Sequence, residues 1–278
     1  MTPIPKLLVL SLLSLASTSS VPILVNEVTG QTINQEYQSF EQEQNLENSF
    51  LNKNSLGVSR PRYTVDLRHN IDDQWMIFVN NKPTFWVKDL PQAALAVAKV
   101  AIILNLPDFD PDRLKPSIID NEYVGKYQDT ILFKVSKASV LNPSLNLTQW
   151  INNLRVAADT EPLTLVEAQK QMYQLSSTGE QMNVTASWYG PYFQGRQTAS
   201  GEQFEQEDYT AAHPTLPFDT YLKVTNQQNG KSVVVRINDR GPYVGDRSLD
   251  LSYAAAIALS SNEVGVVPVT ATILSSSN

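Results

Sequence analysis

The dipeptide Asn229-Gly230 lies between two runs that alternate apolar and polar residues, Tyr221 to Thr225 and Ser232 to Ile237. Asn and Gly both tolerate the positive φ that a tight turn between right-twisted strands demands, so this pattern commits the region to an antiparallel hairpin. Two more strand-like runs, Asn183 to Tyr189 and Val266 to Ile273, flank it, with Gly, Pro and Asn turns in between. Only Tyr253 to Leu259 reads as a helix, with Asp250 and Ser252 offering capping groups. Several short strands around one helix, over residues 181–275, favour a small closed barrel, which leaves no strand edge unpaired.

Upstream, residues 60–175 have a mixed texture. Arg62 to Leu67, Gln74 to Val79, Thr84 to Val87 and Thr130 to Val135 are rich in β-branched and aromatic residues and end at turn formers, so they read as strands. Asp89 precedes a helical pattern over Ala93 to Leu104, carried by Leu95, Val97, Ala98, Ile102 and Leu106 and stopped by Pro107. Ser144 to Ala157 and Thr164 to Gln174 read as two further helices, opened by Ser and Thr caps. Trp150, within the first of them, is expected to anchor a core. This is a small α+β module without a chemical motif. Its His69 reads as a surface histidine with no carboxylate partner.

At the N-terminus Lys6 is followed by the apolar run Leu7 to Ala16 and the small residues Ser17 to Ser20, which is the pattern of a secretory signal peptide over residues 1–20. The run is too short to cross a bilayer, which takes about 20 apolar residues. Residues 21–59, dominated from Gly30 to Asn54 by Gln, Glu, Asn and Ser, read as a disordered linker, because such a segment buries too little surface to offset its ordering entropy. The expected address is the periplasm or cell envelope, reached by secretion across the inner membrane. Composition then narrows the chemistry. There is no cysteine, which excludes disulfides, thiolate nucleophiles, Cys-based zinc sites and lipid attachment at a cysteine. With His69 and His213 alone, a His-rich metal site is not expected, and no cofactor is implied. A formal charge of −7 argues against nucleic acid, whose binding needs clustered Lys and Arg.

Four segments of the barrel region carry polar groups where a purely structural chain has no need of them: Ser187-Trp188-Tyr189-Gly190, Thr198 to Glu202, Thr210 to His213 and Asn238 to Pro242. The strand Val233 to Ile237 runs straight into Asp239, and Gly241-Pro242 stops it, so the carboxylate sits at the end of a rigid element. Alone, Asp239 reads as a turn cap, Glu202 as a solvated loop carboxylate and His213 as a hydrogen-bonded structural imidazole. Together they come from separate loops of one small barrel and can meet in one groove, which makes Asp239 a general-acid candidate.

These residues carry a resemblance. The runs Ala186 to Pro191, Thr198 to Phe204, Thr210 to His213, Leu216-Pro217-Phe218, Val224-Thr225-Asn226, Val235 to Tyr243 and Asp250-Leu251-Ser252, in that order, strongly resemble the rare lipoprotein A (RlpA) family. The resemblance covers about a third of the chain, and the upstream module is similar to that of cyanobacterial RlpA-like proteins. It implies a mainly β chain: a six-stranded double-psi β-barrel, shared with expansins, preceded by the α+β module and the tether. The implied activity is endolytic lytic transglycosylation of peptidoglycan glycan strands that lack stem peptides, leaving 1,6-anhydromuramyl ends. Asp239 corresponds to the catalytic acid, and Glu202 and His213 to the other active-site residues. Trp188, Tyr189, Thr198, Ser200, Asn238 and Arg240 are candidate substrate contacts, the first two by stacking on sugar faces.

In this reading Glu202 supplies a negative charge beside Asp239, Arg240 opposes that effect if its side chain turns inward, and His213 orients the acid or hydrogen-bonds the sugar. The resemblance does not extend to the lipid-modified cysteine or the SPOR domain of a typical RlpA, so no lipid anchor is expected. Gln194 also stands where a histidine is common. Two other classes remain open: a non-catalytic, expansin-like module that grips cell-wall glycan without cutting it, and an envelope scaffold acting through the upstream module on a divisome or envelope protein.

Overall fold

The computed structural model describes residues 61–243 and 245–276; the expected leader over 1–20 and linker over 21–59 lie outside the described residues. Asparagine and aspartate turns shape the first sheets. Strands β1 (Val65–His69), β2 (Trp75–Val79) and β3 (Lys82–Val87) form one antiparallel sheet, and β4 (Leu114–Ile119), β5 (Glu122–Tyr127) and β6 (Thr130–Val135) form a second. Asn80-Asn81 and Asp120-Asn121 hold consecutive positive φ angles at two of the hairpin turns, a geometry that Asn and Asp adopt more readily than other side chains. Strands β1, β2, β3 and β6 fall where they were expected, give or take three residues. Strands β4 and β5 were not foreseen, because Pro116 and Gly125 break the apolar pattern. Pro116 is tolerated on an edge strand, where the missing N–H is no loss, and it pairs with Gly125. Gly125 is required there: a Cβ at this position would lie 2.2 Å from the Phe133 ring.

Three helices pack on these sheets. Helix α1 (Leu90–Leu104) is capped by Asp89, whose side chain accepts from the Gln92 amide, and it buries Ala93, Ala96, Val97, Val100, Ile103 and Leu104. Leu95 and Ile102, expected among its apolar positions, face solvent, because the buried stripe takes only one side of the helix. Helix α2 (Pro143–Ala157) is capped by Asn142 rather than by a serine. Ser144 is the second residue of the helix and is buried. Helix α3 (Leu165–Met172) opens with a capping box between Thr164 and Glu167. Trp150 anchors the core as expected, with Phe133 at 5.6 Å, Trp86 at 5.3 Å and Phe85 at 6.0 Å between ring centroids. His69 is not partnerless: its Nε2 lies 3.0 Å from Asp73 Oδ1, one helical turn of sequence away in a tight loop.

The second half closes into a barrel of six strands: β7 (Leu175–Trp188), β8 (Thr210–Ala212), β9 (Tyr221–Asn226), β10 (Ser232–Asp239), β11 (Arg247–Leu251) and β12 (Val267–Ser276). Around the barrel the order is β10-β8-β11-β7-β12-β9, with β10 parallel to β8, β11 parallel to β7 and the remaining pairs antiparallel. Alternation sends Leu222, Val224, Val233, Val235, Ile237, Leu249 and Leu251 into a shared apolar interior. The expected hairpin is present between β9 and β10, but Ser232 pairs with Thr225, so its loop is longer than the two-residue turn. Gly230, at φ 74°, donates from its N–H to the Asn226 carbonyl across that loop. Strands β8 and β11 escaped the sequence reading because three and five residues of mixed polarity carry almost no periodicity. Strand β7 starts eight residues before the predicted Asn183, with Ser176 and Ser177 already paired to β12.

One more helix, α4 (Tyr253–Ala258), is capped by Ser252, whose Oγ accepts from the Ala255 amide. Asp250, the other capping candidate, instead accepts from Ser187 Oγ and lies 3.5 Å from Arg247 Nη1. Residues from Pro61 onward form one compact unit. Among the described residues no helix is long and apolar enough to cross a membrane.

Candidate active site

Strand β10 delivers Asp239 to the barrel mouth, and its register against β8 slips between Ile237 and Asp239. Such an irregularity re-aims the side chains that follow it. The half-buried carboxylate is held by three donors. Its Oδ1 accepts from the backbone N–H groups of Ala199 and Arg240, both at 2.8 Å, and its Oδ2 accepts from the Tyr189 hydroxyl at 2.7 Å. Burial and the neighbouring carboxylate push the Tyr189 phenol well above its usual range, so it stays protonated and remains a donor.

Ala199 can reach Asp239 because its loop is tied down at several points. The Thr198 amide and hydroxyl both donate to the Glu202 carbonyl, at 2.7 and 3.0 Å, and Thr198 Oγ1 lies 3.0 Å from Ser200 Oγ. Gly201 takes φ 94° to turn the chain, and the Ser200 amide donates to the Asn238 carbonyl. Glu202 closes the loop onto β10: Arg236 donates to both of its carboxylate oxygens, at 2.8 and 2.7 Å, and buried Asn238 adds a bond at 3.1 Å. These donors hold the Glu202 carboxyl below the usual carboxylate range, the Arg236 hydrogen bonds foremost. Its charge is matched on the spot, so Glu202 is not the free negative neighbour of Asp239 that the sequence suggested. Its place is to fix the loop that grips Asp239.

His213 meets Asp239 through the backbone, its N–H donating to the Asp239 carbonyl at 3.2 Å. The imidazole Nδ1 accepts from the amides of Thr215 and Leu216, at 3.2 and 3.0 Å, which assigns the proton of the neutral ring to Nε2. Arg240 does not turn toward the carboxylate. Its guanidinium lies 3.8 Å over the Phe218 ring and donates to the His213 carbonyl. Burial first, and then this guanidinium, lower the His213 pKa. The sign of the pH effect follows from that direction. As pH falls through about 6.5 the unfolded chain takes up the proton before the folded one, so the fold loses stability below that point and not above it. Urea unfolding at pH 7.5 and at pH 5.5 is expected to show a lower midpoint at pH 5.5, with the difference reduced in His213→Asn; an equal difference in that variant would remove His213 as the cause.

The structure brings Asp239, Glu202, Asn238, Thr198, Ser200, Tyr189 and the His213 backbone into one hydrogen-bonded cluster. Two expectations are corrected. Tyr189 does not offer its face to a sugar: its ring packs against Phe204 at 4.6 Å and Phe193 at 5.2 Å, and its hydroxyl is committed to Asp239. Trp188 is committed to packing, with its indole N–H on the Asn262 carbonyl and its ring 5.3 Å from Tyr253. Two other aromatic residues, Tyr192 and Tyr243, follow Tyr189 and Asp239 by three and four residues and are both more than three-quarters exposed. Sequence reasoning missed these and Arg236. A charged residue set among Val233, Val234, Val235 and Ile237 was the available signal for the arginine. Gln194, where a histidine is common, ties two loops by donating to Glu205 and accepting from the Gln206 amide.

Residues 181–271 match a family described as lytic transglycolase. The chain is 41% identical over 196 residues to the probable endolytic peptidoglycan transglycosylase RlpA of Synechocystis, an alignment covering 65% of this chain and 61% of that protein. It is 55% identical over 85 residues to the endolytic peptidoglycan transglycosylase RlpA of Pseudomonas aeruginosa, covering 31% of this chain and 25% of that one. An expansin of Clavibacter michiganensis aligns at 21% identity and a TM-score of 0.30, over 36% of this chain and 52% of the expansin. The cyanobacterial alignment is far longer than the barrel and so takes in residues upstream of it. Over its barrel residues this chain is similar to the rare lipoprotein A proteins, and it spans 61% of the length of the Synechocystis relative.

Proposed function

We propose that the protein is an endolytic lytic transglycosylase that cuts peptidoglycan glycan strands lacking stem peptides, working in the cell envelope after export directed by residues 1–20. The observation that carries this reading is the mooring of Asp239, a carboxylate at a strand end with Oδ1 saturated by two backbone amides and Oδ2 left with the Tyr189 hydroxyl. Such an arrangement holds the acid in one orientation and leaves Oδ2 as the oxygen for proton exchange. The names of the relatives, each spanned by this chain over less than two thirds of its length, point to the same chemistry.

A hydrolase that cleaves glycosidic bonds uses two carboxylates. Here Glu202 is engaged by Arg236, which leaves Asp239 alone, and one carboxylate suffices when the nucleophile belongs to the substrate. Asp239 gives its proton to the departing glycosidic oxygen as the bond from C1 breaks. The C6 hydroxyl of the same muramyl residue then attacks C1, and its proton returns to Asp239. One bond forms, one breaks, no water is consumed, and the tethered attack gains the advantage of an intramolecular reaction. Tyr189 and the 198–202 loop position the acid; His213 and Arg240 brace its backbone; Tyr192 and Tyr243 offer stacking faces to sugar rings.

The test is direct. Purified protein incubated with peptidoglycan stripped of its stem peptides should release soluble fragments bearing 1,6-anhydromuramyl ends, read by mass spectrometry. Bound but intact glycan would identify a non-catalytic binder and overturn the assignment.

A further inference from the structure

Apart from the Asp239 cluster, the α+β module and the barrel line a half-open cavity of about 450 Å³. Its floor is the outer face of the barrel. The alternation that sends Leu222, Val235 and Ile237 inward turns Tyr221, Val234 and Arg236 outward, and Thr210 pairs with Arg236 across the parallel ladder. The facing wall comes from Tyr123, Tyr173 and Asn142. The two tyrosine hydroxyls of that wall lie 3.3 Å apart, and the Tyr173 and Tyr221 rings approach to 5.0 Å.

Three properties define what such a space can hold. Its charges cancel, with Lys137 and Arg236 set against Asp208 and Asp219, and Arg236 already donates to Glu202 and Asp219. Neither an anion nor a cation is therefore favoured. Phenol rings offer flat apolar surfaces bearing neutral donors and acceptors, the combination that suits a sugar ring. Finally, Thr210 is 5% exposed and its Oγ1 has no hydrogen-bond partner among the described residues. A buried hydroxyl in that condition is unfavourable unless something polar meets it.

We propose that this cavity is a second glycan-binding site, which takes one uncharged sugar residue, a GlcNAc, of the strand that Asp239 cuts. The inference rests on the transglycosylase reading for the identity of the strand. Arg236 connects the two places: it lines the cavity while its guanidinium holds Glu202 and, through it, the loop that grips Asp239.

The test uses Asp239→Asn as the parent, so that bound sugar survives, with a stem-peptide-free GlcNAc–MurNAc tetrasaccharide as the probe and calorimetry as the readout. Thr210→Val keeps the shape of the side chain and removes the orphan hydroxyl. It is expected to weaken tetrasaccharide binding about tenfold, the loss of one hydrogen bond, while leaving the melting temperature of the ligand-free protein unchanged or raised. Tyr123→Ala is expected to weaken binding by at least as much. Affinity indifferent to both substitutions, or no binding by the parent, overturns the second site. Product analysis separates this outcome from failure of the function. Anhydro ends with cavity-independent affinity keep the enzyme and remove the site; cavity-dependent affinity without anhydro ends keeps the site and removes the cleavage.

Discussion

Asp239→Asn will abolish release of 1,6-anhydromuramyl products from denuded glycan, with at least about a 10³-fold loss of rate, and will leave the fold standing. General acid–base catalysis by one group contributes roughly 10²–10⁴-fold, and here the same carboxyl serves both as acid and as base. Asparagine has the same shape, and its carbonyl oxygen can still accept from the Ala199 and Arg240 amides that now bind Oδ1. Its amide can donate to the Tyr189 oxygen, so no buried polar group is stranded. What it lacks is an acidic proton to give. Mass spectrometry of the soluble sugars and a thermal melt make the comparison. Undiminished product formation by the variant would show that another group carries the proton.

Gln169→Leu is expected to lower the unfolding free energy by about 2–6 kcal/mol, through the loss of partners for two buried backbone groups at roughly 1–3 kcal/mol each. Gln169, on α3, is fully buried, and its amide bonds both backbone groups of Val234 on β10: Nε2 donates to the carbonyl and Oε1 accepts from the N–H, each at 2.8 Å. The side chain mimics a strand neighbour and ties the α+β module to the barrel. Leucine fills a similar volume but can neither donate nor accept. Urea denaturation should show a lower midpoint. A change below 1 kcal/mol would mean that water takes over the Val234 groups and that Gln169 is not a structural tie.

What the sequence revealed, and what it hid, divides along physical lines. The hairpin signalled by Asn229-Gly230 and the run into Asp239 are local signals, and both survive in the fold, the hairpin with a longer loop, because backbone preference and inward-outward alternation act over a few residues. The capping box at Thr164 and Glu167 belongs to the same kind. Strand β8, only Thr-Ala-Ala, exists because β10 and β11 lie on either side of it, and no local pattern specifies that. The roles of Tyr189 and Glu202 were misjudged for a related reason. Residue type announces an aromatic ring or a carboxylate. Only the closed barrel decides that the phenol donates to a residue 50 positions away, or that Arg236, 34 positions from Glu202, has already taken the charge.

Strand β7 gives the architecture a further consequence. It begins at Leu175, directly after α3, keeps its pairing to β12 through a bulge around Gly179 that Thr178 laces to the Ile273 carbonyl, and ends at Trp188, one residue short of the tyrosine that grips Asp239. A strand paired in this way leaves no pivot between the upstream module and the cutting residue. Any sugar chain held at both ends of that span is measured as if against a ruler, and the fragments it yields should cluster around one length rather than spread at random.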